Sequence, residues 1–211
     1  MDYGRALGAE FREVQDRLHD GKPARVVAAS RVYATDQHDL WDALTNAERI
    51  PRWFSPITGD LRLGGRYQLE GNAGGTITRC DPPDVFEATW EYGGSVSWVV
   101  VRLAPDGDGA RLSLEHITLK DEAGEAHWDQ YGPGATGVGW DLSFLGMGLH
   151  VDSGGGAVDS KANEAWMSSE DGKAFMRRCA EAWGAAHVAA GEAADVAGAM
   201  AARTAAAYTG G

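Results

Sequence analysis

Between residues 74 and 119 three turn signals, Asp81-Pro82-Pro83, Gly93-Gly94 and Pro105-Asp106-Gly107-Asp108-Gly109, cut the chain into strand-length pieces. Proline fixes φ and removes a donor, and glycine supplies the positive φ of tight turns, so each signal ends a strand for a backbone reason. Strands are predicted at 74–80, 84–92, 95–104 and 109–119, and connections this short make them consecutive antiparallel hairpins. Period-two alternation assigns their faces: Glu87, Thr89 and Glu91 oppose Phe86, Ala88, Trp90 and Tyr92, while Arg111, Ser113 and Glu115 oppose Leu112, Leu114 and His116. The 96–103 strand is apolar on both faces, with Val99 and Val101 expected inward and Trp98 outward. Such a sheet has one apolar face that another element must cover.

The rest of the chain supplies the cover. Residues 56–71, PITGDLRLGGRYQLEG, read as two further strands joined at Gly64-Gly65, with Tyr67 and Leu69 inward. A strand at 25–34 leads through the N-cap signal Thr35-Asp36 into a short helix carrying Leu40, Trp41 and Leu44, followed by another near 47–53 that Pro51 interrupts. Residues 137–151, GVGWDLSFLGMGLHV, are apolar on nearly every side and too short to span a bilayer, which predicts a buried closing helix. Its Gly139, Gly146 and Gly148 each cost about 1 kcal/mol of helix propensity, which implies close approach of something to its backbone.

Two flanking regions remain. Leu7, Phe11, Val14 and Leu18 recur at spacings of three and four, predicting a helix over 3–20 that Gly21-Lys22-Pro23 ends. After the break at Ser153-Gly154-Gly155-Gly156, helices are predicted near 162–190 and 192–207. In the first, Ala165, Trp166, Phe175, Met176, Ala180 and Trp183 fall on helical spacings, so this arm is expected to dock on the domain or on a second copy, which leaves a homodimer possible. The organisation expected is an N-terminal helix at 1–22, a core domain at 23–153 and a C-terminal helical extension at 154–211.

Composition excludes several partners. Nineteen Lys and Arg against 31 Asp and Glu give a net charge of −12, which repels phosphate backbones and argues against nucleic acid. Cys80 and Cys179 stand far apart with no C-x-x-C or Cys/His cluster, which suits a reducing compartment and offers no zinc site. The N-terminal sequence has no apolar h-region, and no uncharged run reaches membrane-spanning length, so no membrane insertion and a cytoplasmic location are expected.

The segments VYATDQHDLWDALTNAERIPRWF, LRLGGRYQLEG, GGTITRCDPPDVFEATWEYG and ARLSLEHITL, in this order across residues 25–120, resemble the SRPBCC superfamily, which includes START and birch-pollen-allergen-like lipid carriers. Within it the chain is similar to the branch named after the activator of the ninety-kilodalton heat-shock protein ATPase. GVGWDLSFLGMGLH extends the likeness to the closing helix. The resemblance implies an α+β helix-grip fold, a curved antiparallel sheet wrapped around a long helix with a cavity between them. Here the extra N- and C-terminal helices would add to it, and the tail after residue 153 departs from the typical compact member.

The cavity implied would be lined by Trp53, Phe54, Tyr67, Leu69, Phe86, Trp90, Leu112, Leu114, His116, Trp140, Phe144 and Met147. Each alone is an ordinary core residue, but eight Trp in 211 residues suit a ligand chamber, because large rigid rings fill a curved sheet poorly.

Motifs for chemistry are sparse. The sequence holds no metal-spaced cluster and no nucleotide-binding glycine loop, and the glycines at 71–75 and 93–94 fall between strands as hairpin turns. His116 is the one inward group that titrates near neutrality, with Asp141 a conceivable orienting carboxylate; a satisfied core histidine is the more ordinary reading. Asp121, Glu122, Glu125 and Asp129 read as a solvated acidic loop, since their spacing is not that of a calcium loop. No cofactor is expected. Three functions stand open: a carrier or sensor of a small apolar or aromatic molecule, with His116 or Tyr67 giving one orienting hydrogen bond; a cavity enzyme of cyclase or hydrolase type using His116; and a cochaperone-like interaction role.

Overall fold

The computed structural model of the protein describes residues 8–211. Eight strands form one antiparallel sheet in the order β1-β2-β8-β7-β6-β5-β4-β3. They are β1 (Phe11–His19), β2 (Lys22–Tyr33), β3 (Ile57–Gly59), β4 (Arg66–Leu69), β5 (Gly74–Asp81), β6 (Val85–Tyr92), β7 (Ser95–Asp106) and β8 (Gly109–Leu119). The helices are α1 (Gln37–Thr45), α2 (Glu122–Tyr131), α3 (Gly134–Asp152), α4 (Ser160–Ser168), α5 (Glu170–Ala189) and α6 (Ala194–Thr209), with a single 3-10 turn at Ile50–Arg52. The predicted hairpins are present from β3 to β8, and the curved sheet closes over α3 in the helix-grip arrangement.

The N-terminal helix expected at 1–22 is not there in its described part: residues 11–19 are strand β1, paired with β2 from Phe11↔Ser30 to His19↔Lys22. The three-and-four spacing misleads because, of those apolar residues that are described, only Val14 is buried, whereas Phe11 is 52% and Leu18 68% exposed. A stronger local signal lay at Asp20-Gly21. Their φ values of 49° and 75° are the two left-handed positions of a two-residue hairpin turn, which Asp-Gly favours. Leu7 lies outside the described residues.

The acidic stretch also differs from expectation. Glu122–Tyr131 is helix α2, and Asp121 caps it by accepting from Gly124 N at 2.9 Å. Glu125 pairs with Arg25, whose guanidinium lies 4.5 Å from the Trp128 ring centroid. A capped helix thus replaces the loop, while Asp121, Glu122 and Asp129 remain exposed to solvent as expected.

The two sheet faces have separate cores. On the concave side Val27, Ala29, Tyr33, Val99, Val101, Leu112 and Leu114 pack with Val138, Phe144, Leu145 and Met147 of α3. On the convex side Val26, Val85, Val100 and Ile117 cluster with Trp98, which points outward as predicted, its ring tilted 48° against that of His19 at 4.2 Å.

Arg49 fastens α1 to the end of α3. It donates to Asp39 Oδ1 at 2.8 Å, Asp42 Oδ2 at 2.9 Å and Nε2 of the buried His150 at 3.2 Å. The other ring nitrogen, Nδ1, donates to the Gly156 carbonyl at 2.8 Å. The Asp39 carboxyl is held below the ordinary carboxylate range chiefly by Thr35 Oγ1, which donates to its Oδ2 at 2.6 Å, and that of Asp42 chiefly by Arg49.

The arm docks on its own chain. Ser169 breaks the predicted 162–190 helix by capping α5, accepting from Gly172 N at 3.2 Å. Phe175, Met176, Ala180 and Trp183 of α5 are buried against α3 and β1, Trp166 lies 5.5 Å from the Phe175 ring, and Ala165 is exposed. The stripe that could have joined two copies is therefore covered within one chain. α6 folds back on α5 and reaches α2 and α3, with Thr204 Oγ1 donating to the Tyr131 carbonyl and Tyr208 OH to Ala135 O, both at 2.8 Å.

Close approach to the α3 backbone comes from protein rather than from an empty space left for a ligand. A Cβ on Gly137 would lie 2.1 Å from the Trp183 ring, and one on Gly146 would lie 2.5 Å from the Trp53 carbonyl oxygen. Gly139 and Gly148 face the Tyr208 hydroxyl and the Arg31 guanidinium.

Candidate functional site: an apolar cavity beneath the closing helix

Between the concave face and α3 lies a cavity of about 130 Å³. Trp140, Phe144 and Met147 recur at spacings of four and three on α3, so a single helical face forms the roof. The sheet contributes alternate residues: Tyr67 and Leu69 from β4, Phe86 and Trp90 from β6, Leu112 and Leu114 from β8. Trp53 and Phe54, rings stacked at 5.4 Å, close one side from the segment after the 3-10 turn. Every lining position named from the sequence is on this wall except His116.

The wall also includes residues that sequence reading missed. Leu44, Thr45 and Ile50 come from α1 and the turn, Ile57 and Leu61 from the β3 region, and Ile77 and Cys80 from β5. Leu44 was legible as the apolar side of a short helix. The β5 residues were not, because the register of β5 against β6 shifts between Ile77 and Arg79, which breaks strict alternation there.

Among the described residues no charged side chain lines the cavity. Most of its polar groups are already committed: Trp53 Nε1 donates to Ala43 O at 2.9 Å, Tyr67 OH to Thr89 O at 2.7 Å, Thr45 Oγ1 to Trp41 O at 2.8 Å and Ser143 Oγ to Gly139 O at 2.9 Å. Tyr67 is thus no free donor for a ligand, and burial raises the pKa of its hydroxyl. Among the described residues, the Trp90 indole N–H and the Cys80 thiol are the wall donors without a protein acceptor.

His116 sits behind the wall, buried and fully bonded. Trp140 Nε1 donates to its Nδ1 at 3.2 Å, its Nε2 meets Ser97 Oγ at 2.9 Å, and Ser97 Oγ reaches the Trp90 carbonyl at 3.1 Å. Only one proton arrangement satisfies all three contacts. The indole N–H occupies Nδ1, so Nε2 carries the hydrogen and donates to Ser97, whose hydroxyl donates onward. Burial accordingly drives the His116 pKa down to about 4, since a charged ring would lose its water and set two N–H groups against each other.

The pairing of His116 with Asp141 does not occur. Asp141 is fully buried, but its carboxyl binds Ala9 N at 2.6 Å, Arg12 Nη2 at 2.7 Å and Trp183 Nε1 at 2.9 Å, off the cavity wall. Helical residues one apart point about 100° away from each other, so Trp140 and Asp141 cannot share a target. Neither group proposed for proton transfer therefore has a free position facing the cavity.

Cys179 is buried near Asp141, and burial raises its thiol pKa. Among the described residues no cluster of His, Cys, Asp and Glu could hold a metal ion, and no helix is long and apolar enough to cross a membrane.

Comparison with known proteins agrees with this architecture. CalU16 from Micromonospora echinospora is similar in both of its solved forms. The solution structure is 34% identical with a TM-score of 0.68, covering 90% of this chain and 100% of that one. The crystal structure is 30% identical with a TM-score of 0.66, covering 83% and 96%. The larger share exceeds what residues 23–153 alone can supply, so the likeness reaches into the C-terminal arm. MLL2253 from Mesorhizobium loti, 21% identical with a TM-score of 0.52 over 61% of this chain and 98% of its own, shares the fold. The comparison with curated proteins found no match. Residues 34–147 match the sequence profile described as activator of Hsp90 ATPase homolog 1-like protein. This span runs from the end of β2 to the cavity-facing Met147, and the chain belongs to that family within the SRPBCC superfamily.

Proposed function

We propose that the protein binds a small apolar or aromatic molecule in the cavity beneath α3, as a carrier or sensor. The carrying observation is the wall itself: it is aromatic and aliphatic, has no charge among the described residues, and has most of its hydrogen-bond donors committed to protein. An engineered cavity on the order of 150 Å³ with such a lining stays dry and takes up benzene, so a single ring is the natural scale for the space here. The rings of Trp90 and Trp140 stand 5.2 Å apart at 60°, offering an edge and a face to an aromatic guest. Membership of the family suits a ligand-binding or cyclase-like role equally, and the committed nitrogens of His116 favour the first.

The test pairs binding with chemistry. Quenching of tryptophan fluorescence is read across a panel of apolar metabolites for wild type, Trp90→Ala and His116→Gln, with product analysis of every mixture. Removing Trp90 deletes on the order of 150–250 Å² of contact area and is expected to weaken binding strongly, while His116→Gln changes affinity modestly. Conversion of a metabolite by wild type that vanishes in His116→Gln would refute the carrier reading and restore the enzyme.

A further inference from the structure

Asp141 stands one residue along α3 from the cavity-facing Trp140, and four hydrogen bonds converge on it. Oδ1 accepts from Ala9 N at 2.6 Å and Arg12 Nη2 at 2.7 Å; Oδ2 accepts from Arg12 Nε at 3.2 Å and Trp183 Nε1 at 2.9 Å. The donors come from the segment before β1, from β1 and from α5, so three parts of the chain meet at one buried carboxyl. Two glycines make room for the meeting. A Cβ on Gly8 would lie 2.2 Å from Oδ1, and one on Gly137, a turn before Asp141, would lie 2.1 Å from the Trp183 ring.

Burying a carboxylate and a guanidinium costs several kcal/mol per ion, and well-packed apolar groups of similar volume often stabilise as well or better. Stability alone is therefore a poor reason for this arrangement. Directional bonds from a forked guanidinium, an amide and an indole add one permitted placement, which apolar contact does not enforce. On a helix, fixing Asp141 fixes the rotation of its neighbours. Trp140, Phe144 and Met147 then have one direction in which to point.

We infer that the C-terminal arm serves the cavity: through Trp183, acting with Arg12 on Asp141, it sets the face that α3 presents to a ligand. Asp141, Arg12 and Trp183 are positioning residues in this scheme. Its functional meaning rests on the cavity-binding reading, but the placement has a readout that needs no ligand, the indole N–H of Trp140 bonded to His116.

Two variants separate position from stability. Trp183→Phe keeps a ring against Gly137 and removes one donor, while the double variant Arg12→Met/Asp141→Leu replaces the ion pair with apolar groups. In ligand-free protein, exchange of the Trp140 indole N–H is followed by NMR, and affinity for the neutral single-ring probe toluene is measured by calorimetry. The double variant also leaves Ala9 N and the buried Trp183 indole N–H without an acceptor and so lowers the thermal midpoint, but Trp140 exchange is expected to rise relative to the core amides of β7 and probe affinity to fall, each roughly tenfold, with Trp183→Phe moving both in the same direction by less. Unchanged Trp140 exchange in the folded variants overturns the inference, and Trp183→Phe alone decides it if the double variant fails to fold. If exchange rises but wild type binds no probe, the positioning role stands and the cavity-binding reading falls.

Discussion

Replacing His116 with Gln should flatten the acid side of the stability profile. Glutamine keeps one acceptor for Trp140 Nε1 and one donor for Ser97 Oγ, so the relay survives without a group that titrates. In the folded protein the His116 pKa is lowered from 6.5 to about 4 by burial. The unfolded chain therefore binds the extra proton between those values while the folded one does not, and stability must fall as pH falls through that window. Above pH 6.5 the contribution is fully present, and below about 4 it is lost. Each pH unit across the window costs about 1.36 kcal/mol, so at pH 4.5 the loss amounts to about 2.5 kcal/mol relative to neutrality. Urea unfolding at pH 7, 5.5 and 4.5 on wild type and His116→Gln measures it, because carboxylates common to both proteins cancel in the difference. Gln is expected to cost about 1–2 kcal/mol at pH 7 through imperfect shape and to match or exceed wild type at pH 4.5. Parallel profiles would mean that His116 takes up a proton inside the fold without penalty, and the neutral-relay account would be wrong.

Two further outcomes follow from the packing. Gly137→Ala sets a methyl group inside the van der Waals radius of the wholly buried Trp183 ring, so a loss of roughly 3 kcal/mol or more is expected in denaturant unfolding, against the usual gain of Gly→Ala in a helix. Arg49→Leu leaves His150 Nε2 buried without its donor and frees α1 from the end of α3, which should cost about 1–3 kcal/mol by the same measurement and raise amide exchange in residues 37–45 first.

The parts of the fold that were legible in the sequence are those where a backbone rule and a burial pattern agree. From β6 to β8 each turn has its glycine or proline and each strand alternates, so faces and register followed together. The cavity wall was legible for the same reason, because inward residues of a curved sheet and one face of α3 have nowhere else to meet. β1 failed because its apolar residues do not share one buried face: Val14 is buried in the concave core, whereas Phe11, on the opposite face by alternation, and Leu18 are largely exposed, while Asp20-Gly21 carried the real information. His116 illustrates a different limit. Alternation gave its side correctly, but whether an inward histidine reaches a cavity or ends in a relay depends on Ser97 and Trp140, which are 19 and 24 residues away. The partners of Asp141 were likewise beyond local reading, since Arg12 lay in a segment assigned to the wrong secondary structure.

The convergence on Asp141 also dictates when the molecule can be finished. Ala9 and Arg12 lie 132 and 129 residues before the carboxyl, and Trp183 lies 42 residues after it. Loops of that length close slowly against chain entropy, and a ribosome adds about 5–20 residues each second. The sheet and α3 thus emerge seconds before their last donor is made. In that interval one carboxylate oxygen lacks its indole partner and the groove over Gly137 stands open, exposing apolar surface to chaperones and proteases. A chain that terminates before Trp183 keeps that groove open, so truncation in the arm is expected to leave apolar surface exposed even though every residue of the cavity wall has been synthesised.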